Sequence, residues 1–239
     1  MNGHKYILLL LLLTVSFRQN NTSPLVIQSK SVINIPEPSD ICLSADGKNL
    51  YIVSDRGYLY ITDLNLVNIK KINLHKKDAE AVFANEKYIY IMEERSRTIS
   101  VYDAKTYDSL WSKKLYFEGK YKNHGFESLT YNPIRKIFIA VSEKHPMQVW
   151  ELDEELNQIK IIPISGAKDI SSATWYQNKL YFLSDEDSKI MEVDPVNYTI
   201  KKEWYLGIEN PEGICFLSSG QFIIVCDEIS TMYKYSQLP

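Results

Sequence analysis

The chain has 239 residues, of which 45% are hydrophobic and 24% are charged, and its formal net charge is −3. This is the composition of a globular protein: it excludes a largely disordered chain and shows no basic excess that would indicate a nucleic-acid partner. The three cysteines are too few for a disulfide-dense scaffold. Tyrosine is abundant, with 17 residues, and this favours β-strands over helices.

The N-terminus has the pattern of a secretory signal peptide. Lys5 precedes an unbroken aliphatic run at 7–13, and the small residues Thr14 and Ser16 stand three positions and one position before a cut after Ser16. The run is much shorter than the roughly 20 apolar residues that a membrane-spanning helix needs. Residues 1–16 are therefore expected to be a cleaved signal peptide, or else a short membrane anchor that is retained.

The rest of the chain is expected to form one exported domain. A polar segment at 17–23 leads into a single domain at 24–239. Export places the protein in the periplasm, in the cell envelope or at the plasma membrane, where its membrane association is peripheral or depends on the retained anchor.

After the N-terminal segment, the chain aligns with itself five times. Each unit has a short apolar stretch, a turn, a β-rich run such as "LYIV" or "FIIV", an acidic turn, an alternating strand and a more polar fourth strand. Equivalent positions in the five units are separated by 41, 47, 44 and 41 residues; they are Ser39, Glu80, Glu127, Ser171 and Glu212. A period in the low forties with four short strands in each unit predicts a β-propeller blade.

The fifth unit contains only three strands and ends near Tyr235. The segment 25–34 precedes the first unit and has the alternation of an outer strand, so we expect it to complete the last blade and remove exposed sheet edges. The predicted fold class is all-β, a five-bladed β-propeller of four-stranded antiparallel blades. Six blades would require a diverged unit between Glu80 and Glu127, an interval that is too short for one.

Acidic residues recur at three aligned positions of the repeat. The position at the start of the first strand supplies the inner glutamates, Glu80, Glu127 and Glu212. The position two residues earlier supplies the preceding acids, Glu37, Asp78 and Asp169. The turn after each second strand supplies the turn acids, Asp55, Glu94, Glu143, Asp185 and Asp227. Because the first two strands of a blade are antiparallel, all three sets are predicted to meet at one mouth of the central channel.

Like charges at this density raise each other's pKa unless something offsets them. Arg56, Arg95 and Lys144 directly follow three of the turn acids and are expected to pair with them, whereas the inner glutamates have no basic neighbour in sequence. A hard cation would also offset the charge, since Ca²⁺ takes six to eight oxygen ligands and favours carboxylates. The predicted Ca²⁺ ligands are Glu80, Glu127, Glu212, Glu37 and Asp169. The turn acids form a secondary ring. The alternative is that the acids only cap backbone N–H groups and pair with the basic residues.

Few other residues have the pattern of a chemical site. His124 stands beside the expected mouth and is a weak candidate for a base or a ligand. Cys42 and Cys215 occupy corresponding places in the first and last units, where they would be small buried residues or a disulfide pair. The redox state of Cys226 is likewise open.

Several motifs in a fixed order resemble those of a known family. They are "EPSDICLS", "LYIVSDRGYLY", "EAVFANEKYIYIMEER", "NHGFESLTYNP", "VSEKHP", "LYFLSDEDSKIMEVD" and "NPEGICF", and they cover roughly 31–235. Together they resemble the SdiA-regulated, or YjiK-like, family of bacterial propellers. The Glu-Gly pair of that family is similar to Glu212-Gly213, Glu80-Ala81 and Glu127-Ser128 here, whereas Asp40 replaces the glycine in the first unit.

The resemblance implies a protein of the cell envelope, with a signal peptide or a membrane anchor and a link to calcium response in some members. The family has no firmly established reaction. It is more distantly similar to phytase-like esterase and gluconolactonase propellers, which hold metals at the channel mouth.

The expected function is therefore binding or sensing. The protein would be an exported propeller, not an enzyme, that binds a cation and a small ligand or an envelope protein at its acidic mouth. The alternative is a metal-dependent hydrolase of an ester, lactone or phosphoester, for which His124 is the histidine placed to act as the base. A third interpretation is an envelope scaffold whose acids are all structural.

Overall fold

Apolar runs such as "LYIV" form the second strand of each blade and are buried on both faces, as expected for the middle of a packed sheet. The computed structural model describes residues 24–75, 78–116 and 125–239. Within these ranges the regular structure consists of β-strands, which form five four-stranded sheets. The predicted signal peptide or anchor at 1–16, the linker at 17–23 and His124 lie outside the described residues.

Each of the first four blades is built from four consecutive strands, and neighbouring strands are antiparallel. The strands of blades 1 and 2 are β2 (Pro38–Leu43), β3 (Asn49–Ser54), β4 (Tyr58–Asp63) and β5 (Lys70–Asn73), then β6 (Ala79–Ala84), β7 (Tyr88–Glu93), β8 (Thr98–Asp103) and β9 (Ser109–Lys114). The strands of blades 3 and 4 are β10 (Phe126–Asn132), β11 (Ile137–Ser142), β12 (Gln148–Leu152) and β13 (Gln158–Pro163), then β14 (Ser172–Tyr176), β15 (Lys179–Ser184), β16 (Lys189–Val193) and β17 (Ile200–Tyr205).

The last blade joins the two ends of the described chain. Its strands are β18 (Pro211–Phe216), β19 (Phe222–Cys226), β20 (Thr231–Tyr235) and the N-terminal β1 (Ile27–Val32). β1 pairs antiparallel with β20, and the backbone N–H of Ile33 donates to the carbonyl of Ser230 at 2.7 Å. The predicted five-bladed propeller closed by an N-terminal strand is therefore confirmed.

Apolar side chains from adjacent blades form the core. Among the described residues, five clusters of buried residues each lie between two neighbouring blades. Between blades 2 and 3, for example, Phe83 meets Phe138 edge to face with ring centroids 5.8 Å apart. The cysteines are free thiols: Cys215 and Cys226 are buried and Cys42 is partly buried. Packing between blades, without disulfides, therefore holds the ring together.

The outer strand of every blade is largely exposed and carries lysine. These residues are Lys30, Lys70, Lys113, Lys160 and Lys201. Positive charge on a free sheet edge opposes pairing with the edge of another molecule. No helix in the described part of the chain is long and apolar enough to cross a membrane.

Candidate functional site

A β-bulge at the start of the first strand positions the inner glutamates. In blade 2, Ala79 pairs with Glu93 and Ala81 with Met92, so Glu80 is the extra residue. The same register shift occurs in blades 3 and 5, where Glu127 and Glu212 are the extra residues. A bulge leaves its extra residue outside the ladder and re-aims its side chain. In blades 2, 3 and 5 the repeat thus combines a β-bulge with a glutamate at the bulged position.

The first strands surround the central channel, and the carboxylates meet at one end of it. The mouth encloses a cavity of about 430 Å³. Nine carboxylate residues line it, and they are Glu37, Asp55, Glu80, Glu127, Glu143, Asp169, Asp185, Glu212 and Asp227. The predicted metal ligands and four of the five turn acids therefore surround one cavity. The fifth turn acid, Glu94, lies beside it in a group with Glu127 and Glu143.

Two of the preceding acids pair with arginine. The Arg56 guanidinium donates to both carboxylate oxygens of Glu37, at 2.8 and 3.0 Å. Arg95 binds Asp78 through its backbone N–H at 2.7 Å and through its Nε at 3.2 Å. The expectation that these arginines pair with the turn acids before them is wrong, because the turn directs each arginine back to the start of its own blade.

The third preceding acid, Asp169, caps its own blade. It accepts a hydrogen bond from Ser184 Oγ at 2.5 Å and further bonds from the backbone N–H groups of Asp185 and Glu186 at 3.1 and 3.2 Å. These bonds hold the turn after the second strand of blade 4. Glu37 and Asp169, both predicted metal ligands, thus line the cavity with protein partners already bound.

Two of the turn acids also have partners. Lys144 Nζ lies 2.5 Å from Glu143 and 3.0 Å from Glu186, and so connects blades 3 and 4. The backbone N–H of Gly125 donates to Glu94 at 3.0 Å. A Cβ at position 125 would overlap the backbone and side chain of Glu94, so this close approach requires glycine. The expected pairing of Lys144 with its turn acid is present.

Burial and mutual repulsion raise the pKa values of the inner glutamates. Burial first, and neighbouring carboxylates second, raise the pKa of Glu80 to about 8 and that of Glu127 to about 10. The same causes raise the pKa of Glu212 well above its ordinary value, and that of Asp185 to about 6. The mouth therefore holds protons at neutral pH that a cation could replace.

Two sets of carboxylates come close enough to share an ion. The oxygens of Asp55, Asp78 and Glu80 lie within 4.8 Å of one another, and so do those of Glu94, Glu127 and Glu143. Ca²⁺ binds oxygens at 2.3–2.6 Å, so ligands on opposite sides of one ion are about 5 Å apart. The donors and their spacing fit a hard cation.

Asp40 follows Ser39, the extra residue of the β-bulge in blade 1, and connects three blades. Its Oδ2 accepts from the backbone N–H of Val82 in blade 2 at 2.9 Å, and its Oδ1 accepts from Ser172 Oγ in blade 4 at 2.8 Å. In blade 5, a Cβ at Gly213 would lie 2.7 Å from the Asp40 Cα. The sequence showed Asp40 only as a departure from Glu-Gly, whereas the structure makes it a link across the channel.

Comparisons with known proteins agree with this architecture. A family model described as SdiA-regulated matches residues 19–203, which confirms the family inferred from the motifs. No curated protein matches the chain. Among solved structures, the glutaminyl cyclase of Myxococcus xanthus is similar with a TM-score of 0.72 and 11% identity, over 90% of this chain and 98% of that one. The Cps50 (Swd1) β-propeller domain of Myceliophteria thermophila is similar with a TM-score of 0.58 and 11% identity, over 89% and 99%. At such identities the likeness concerns the fold alone.

Proposed function

We propose that this chain, which belongs to the SdiA-regulated family, is an exported binding or sensing propeller. Its acidic mouth binds a divalent cation, and Ca²⁺ is the ion that we expect there. The observation that carries the proposal is that two of the three inner glutamates have no compensating partner. Among the described residues, Glu127 and Glu212 accept no hydrogen bond and form no ion pair, although nine carboxylate residues surround the cavity. Burying carboxylates without partners is costly, and a bound cation removes that cost.

The size of the cavity supports a role beyond holding one ion. A volume of about 430 Å³ exceeds that of a single hydrated cation, and the lining is almost entirely acidic. A small ligand or a loop of an envelope protein that carries positive charge, or that completes the coordination of the cation, would fit this lining. Because a propeller is a rigid ring, such a ligand would meet a preformed surface.

The cation proposal is tested by thermal unfolding with millimolar CaCl₂ and with chelator. A ligand at a hundredfold excess over its Kd stabilises the native state by about 2.7 kcal/mol. We expect calcium to raise the melting temperature of the wild type, and Glu127→Gln and Glu212→Gln to lose most of that rise. Glu86→Gln is the matched control, because Glu86 is exposed in the turn between β6 and β7. A wild-type melting temperature that is indifferent to calcium and chelator would count against the site.

Export is tested separately, by cell fractionation and N-terminal sequencing. The run at 7–13 and the small residues after it lead us to expect a mature chain that begins near Phe17. Full-length protein confined to the cytoplasm would contradict export. Full-length protein in the membrane fraction would instead identify residues 1–16 as a retained anchor.

The alternative of a metal-dependent hydrolase lacks an observation in its favour. Its expected base, His124, lies outside the described residues, and the residues that line the described cavity are acids, serines and a proline. The likeness to a glutaminyl cyclase concerns the fold and does not bring an activity to this chain.

A further inference from the structure

A second cavity lies between blades 4 and 5, at the end of the ring opposite the acidic mouth. Its volume is about 210 Å³. The turns that join the first and second strands of these two blades border it, through Gln177 in blade 4 and through Ser219 and Gly220 in blade 5. The acidic mouth lies at the start of the first strands, so these turns stand at the other end of each blade. The blade 4–5 cavity is therefore separate from the proposed cation site.

Aromatic rings form the inner wall of the blade 4–5 cavity. Tyr176 and Phe216 stack with ring centroids 4.6 Å apart and an angle of 8° between the rings, and Tyr181 meets Phe216 at 4.8 Å. Trp204, on the outer strand β17, also lines the cavity. Tyr181 and Trp204 are 5% and 4% exposed, whereas Tyr176 is only partly buried and leaves ring surface open to a ligand. The wall is preformed, because these rings belong to the core between the two blades.

Two of these buried aromatic residues keep a polar atom without a partner. The hydroxyl of Tyr181 and the indole N–H of Trp204 form no hydrogen bond within the part of the chain that the structure describes. Neither atom is sealed in the core, and both residues line the cavity. Burial first, and the carboxylate of Glu192 second, raise the pKa of Tyr181 to about 12, so its hydroxyl keeps its proton. Buried tyrosine and tryptophan usually find a hydrogen-bond partner for these groups, so two free donors at one cavity point to a ligand that accepts from them.

Charged side chains form the outer part of the cavity. Lys179 Nζ lies 2.9 Å from the carboxylate of Glu192, whose side chain is 12% exposed. Lys202 is the cross-strand partner of Glu192 on β17 and forms no ion pair among the described residues. The cavity thus combines hydrogen-bond donors with an acceptor, which suits hydroxyl groups because a hydroxyl both donates and accepts.

The equivalent surface of blade 2 is apolar. Three cross-strand neighbours occupy the same positions in the two blades: Tyr90, Val101 and Trp111 in blade 2 correspond to Tyr181, Glu192 and Lys202 in blade 4. In blade 2, Tyr90 packs against Phe138 of blade 3 with ring centroids 4.7 Å apart. Blade 4 keeps the tyrosine but has an acid and a base in place of the two apolar residues. Packing between blades favours apolar residues at such positions, so the charged pair indicates a polar ligand.

We propose that the blade 4–5 cavity binds one sugar ring, either a free monosaccharide or the end of a glycan. The carbon–hydrogen face of the ring packs on the aromatic wall, and its oxygens accept from Tyr181 and Trp204. Its hydroxyls donate to Glu192 and accept from Lys202. The volume lies below the roughly 300–1,000 Å³ of sites for drug-sized ligands, so the cavity takes one ring.

The test is two-dimensional NMR of the full chain, which follows the indole N–H signals of its four tryptophans. The probes are glucose, galactose, N-acetylglucosamine and glucuronate, each as the free sugar and as its methyl glycoside. At least one of them should shift the signal of Trp204 in a saturable way; this signal is identified by its loss in Trp204→Phe. The signal of Trp150 should stay in place, because Trp150 is buried between blades 2 and 3.

Two variants with matched controls locate the binding. Tyr181→Phe removes only the hydroxyl and should weaken binding at least about fivefold, whereas Tyr51→Phe makes the same change at the equivalent position of blade 1 and should leave the affinity within about twofold. Lys202→Met should also weaken binding at least about fivefold. Its control is Lys201→Met, since Lys201 is the next residue and binds Asp194 outside the cavity. Melting temperatures show whether each variant is folded.

The outcomes decide both the site and the source of the sugar. The absence of a Trp204 shift with every probe would overturn the sugar site. Shifts that are the same in the wild type, in Tyr181→Phe and in Lys202→Met would mean binding elsewhere and would also overturn it. Binding of a methyl glycoside as tight as that of the free sugar supports the end of a glycan as the ligand, and rejection of the glycoside supports the free monosaccharide. None of these results depends on calcium, so the cation proposal stands or falls separately.

Discussion

Replacing Asp40 by asparagine should stabilise the propeller at alkaline pH. Asp40 is only 2% exposed, and its two carboxylate oxygens accept hydrogen bonds from Val82 N–H and Ser172 Oγ. Neither partner carries a charge, and burial raises the pKa of Asp40 from 3.8 to about 8. The folded protein therefore holds a proton on Asp40 that the unfolded chain releases near pH 4.

The difference between the pKa of Asp40 in the folded protein and in the unfolded chain sets the sign and size of the change in stability with pH. Because the folded state binds the proton more tightly, the contribution of Asp40 to stability is greatest below pH 4, declines from pH 4 to about pH 8, and stays low above that. The rise in pKa from 3.8 to about 8 corresponds to roughly 6 kcal/mol at about 1.4 kcal/mol per pH unit. Asparagine stays neutral, can accept from Val82 N–H and can donate to Ser172 Oγ. After allowing about 1–3 kcal/mol for hydrogen bonds that the amide makes less well than the protonated acid, Asp40→Asn should be more stable than the wild type by about 3–5 kcal/mol near pH 9.

Urea unfolding in the presence of chelator, at pH 5 and at pH 9, measures the difference in the free energy of unfolding between the wild type and Asp40→Asn. The advantage of Asp40→Asn should be small at pH 5 and large at pH 9, while titration of the other acids is common to both proteins. Asp40→Ala is the matched control: it also removes the charge, but it leaves Val82 N–H without its partner and should gain less at pH 9 by about 1–3 kcal/mol. A difference between wild type and Asp40→Asn that does not change with pH would refute the reasoning.

Three further predictions concern the ring itself. Gly213→Ala should cost about 1–3 kcal/mol in urea unfolding, because its Cβ would lie 2.7 Å from the Asp40 Cα; unchanged stability would show that the two strands can separate at no cost. Deleting 25–34 removes β1 and exposes β20, so size-exclusion chromatography should show aggregates, whereas a monomer with an unchanged melting temperature would contradict closure. Arg56→Gln should leave the midpoint of urea unfolding unchanged with or without calcium, because its ion pair with Glu37 is exposed; a lower midpoint would indicate a structural pair.

Much of the architecture could be predicted from the sequence because it depends on repetition. Equivalent residues of successive units stand at equivalent places around a closed ring, so the spacing from Glu80 to Glu127 to Glu212 was sufficient to place three carboxylates at one channel. The missing fourth strand of the last unit and the alternation at 25–34 were sufficient to predict closure, since a propeller with an open blade would leave exposed edges. These features depend on the order and the direction of the strands. The length of each repeat and its pattern of apolar and polar residues are sufficient to predict both.

Apart from the pair of Lys144 and Glu143, which are neighbours in sequence, the partners of the charged side chains were decided by the tertiary structure. Arg56 follows Asp55 in sequence but binds Glu37, because the turn directs it across its own blade. Asp40 binds Ser172, which is 132 residues away, because ring closure brings the first and fourth blades to opposite sides of one narrow channel. Which acids keep no partner therefore depends on bulges, turn directions and contacts between blades that are distant in sequence, and these are set only when the ring closes.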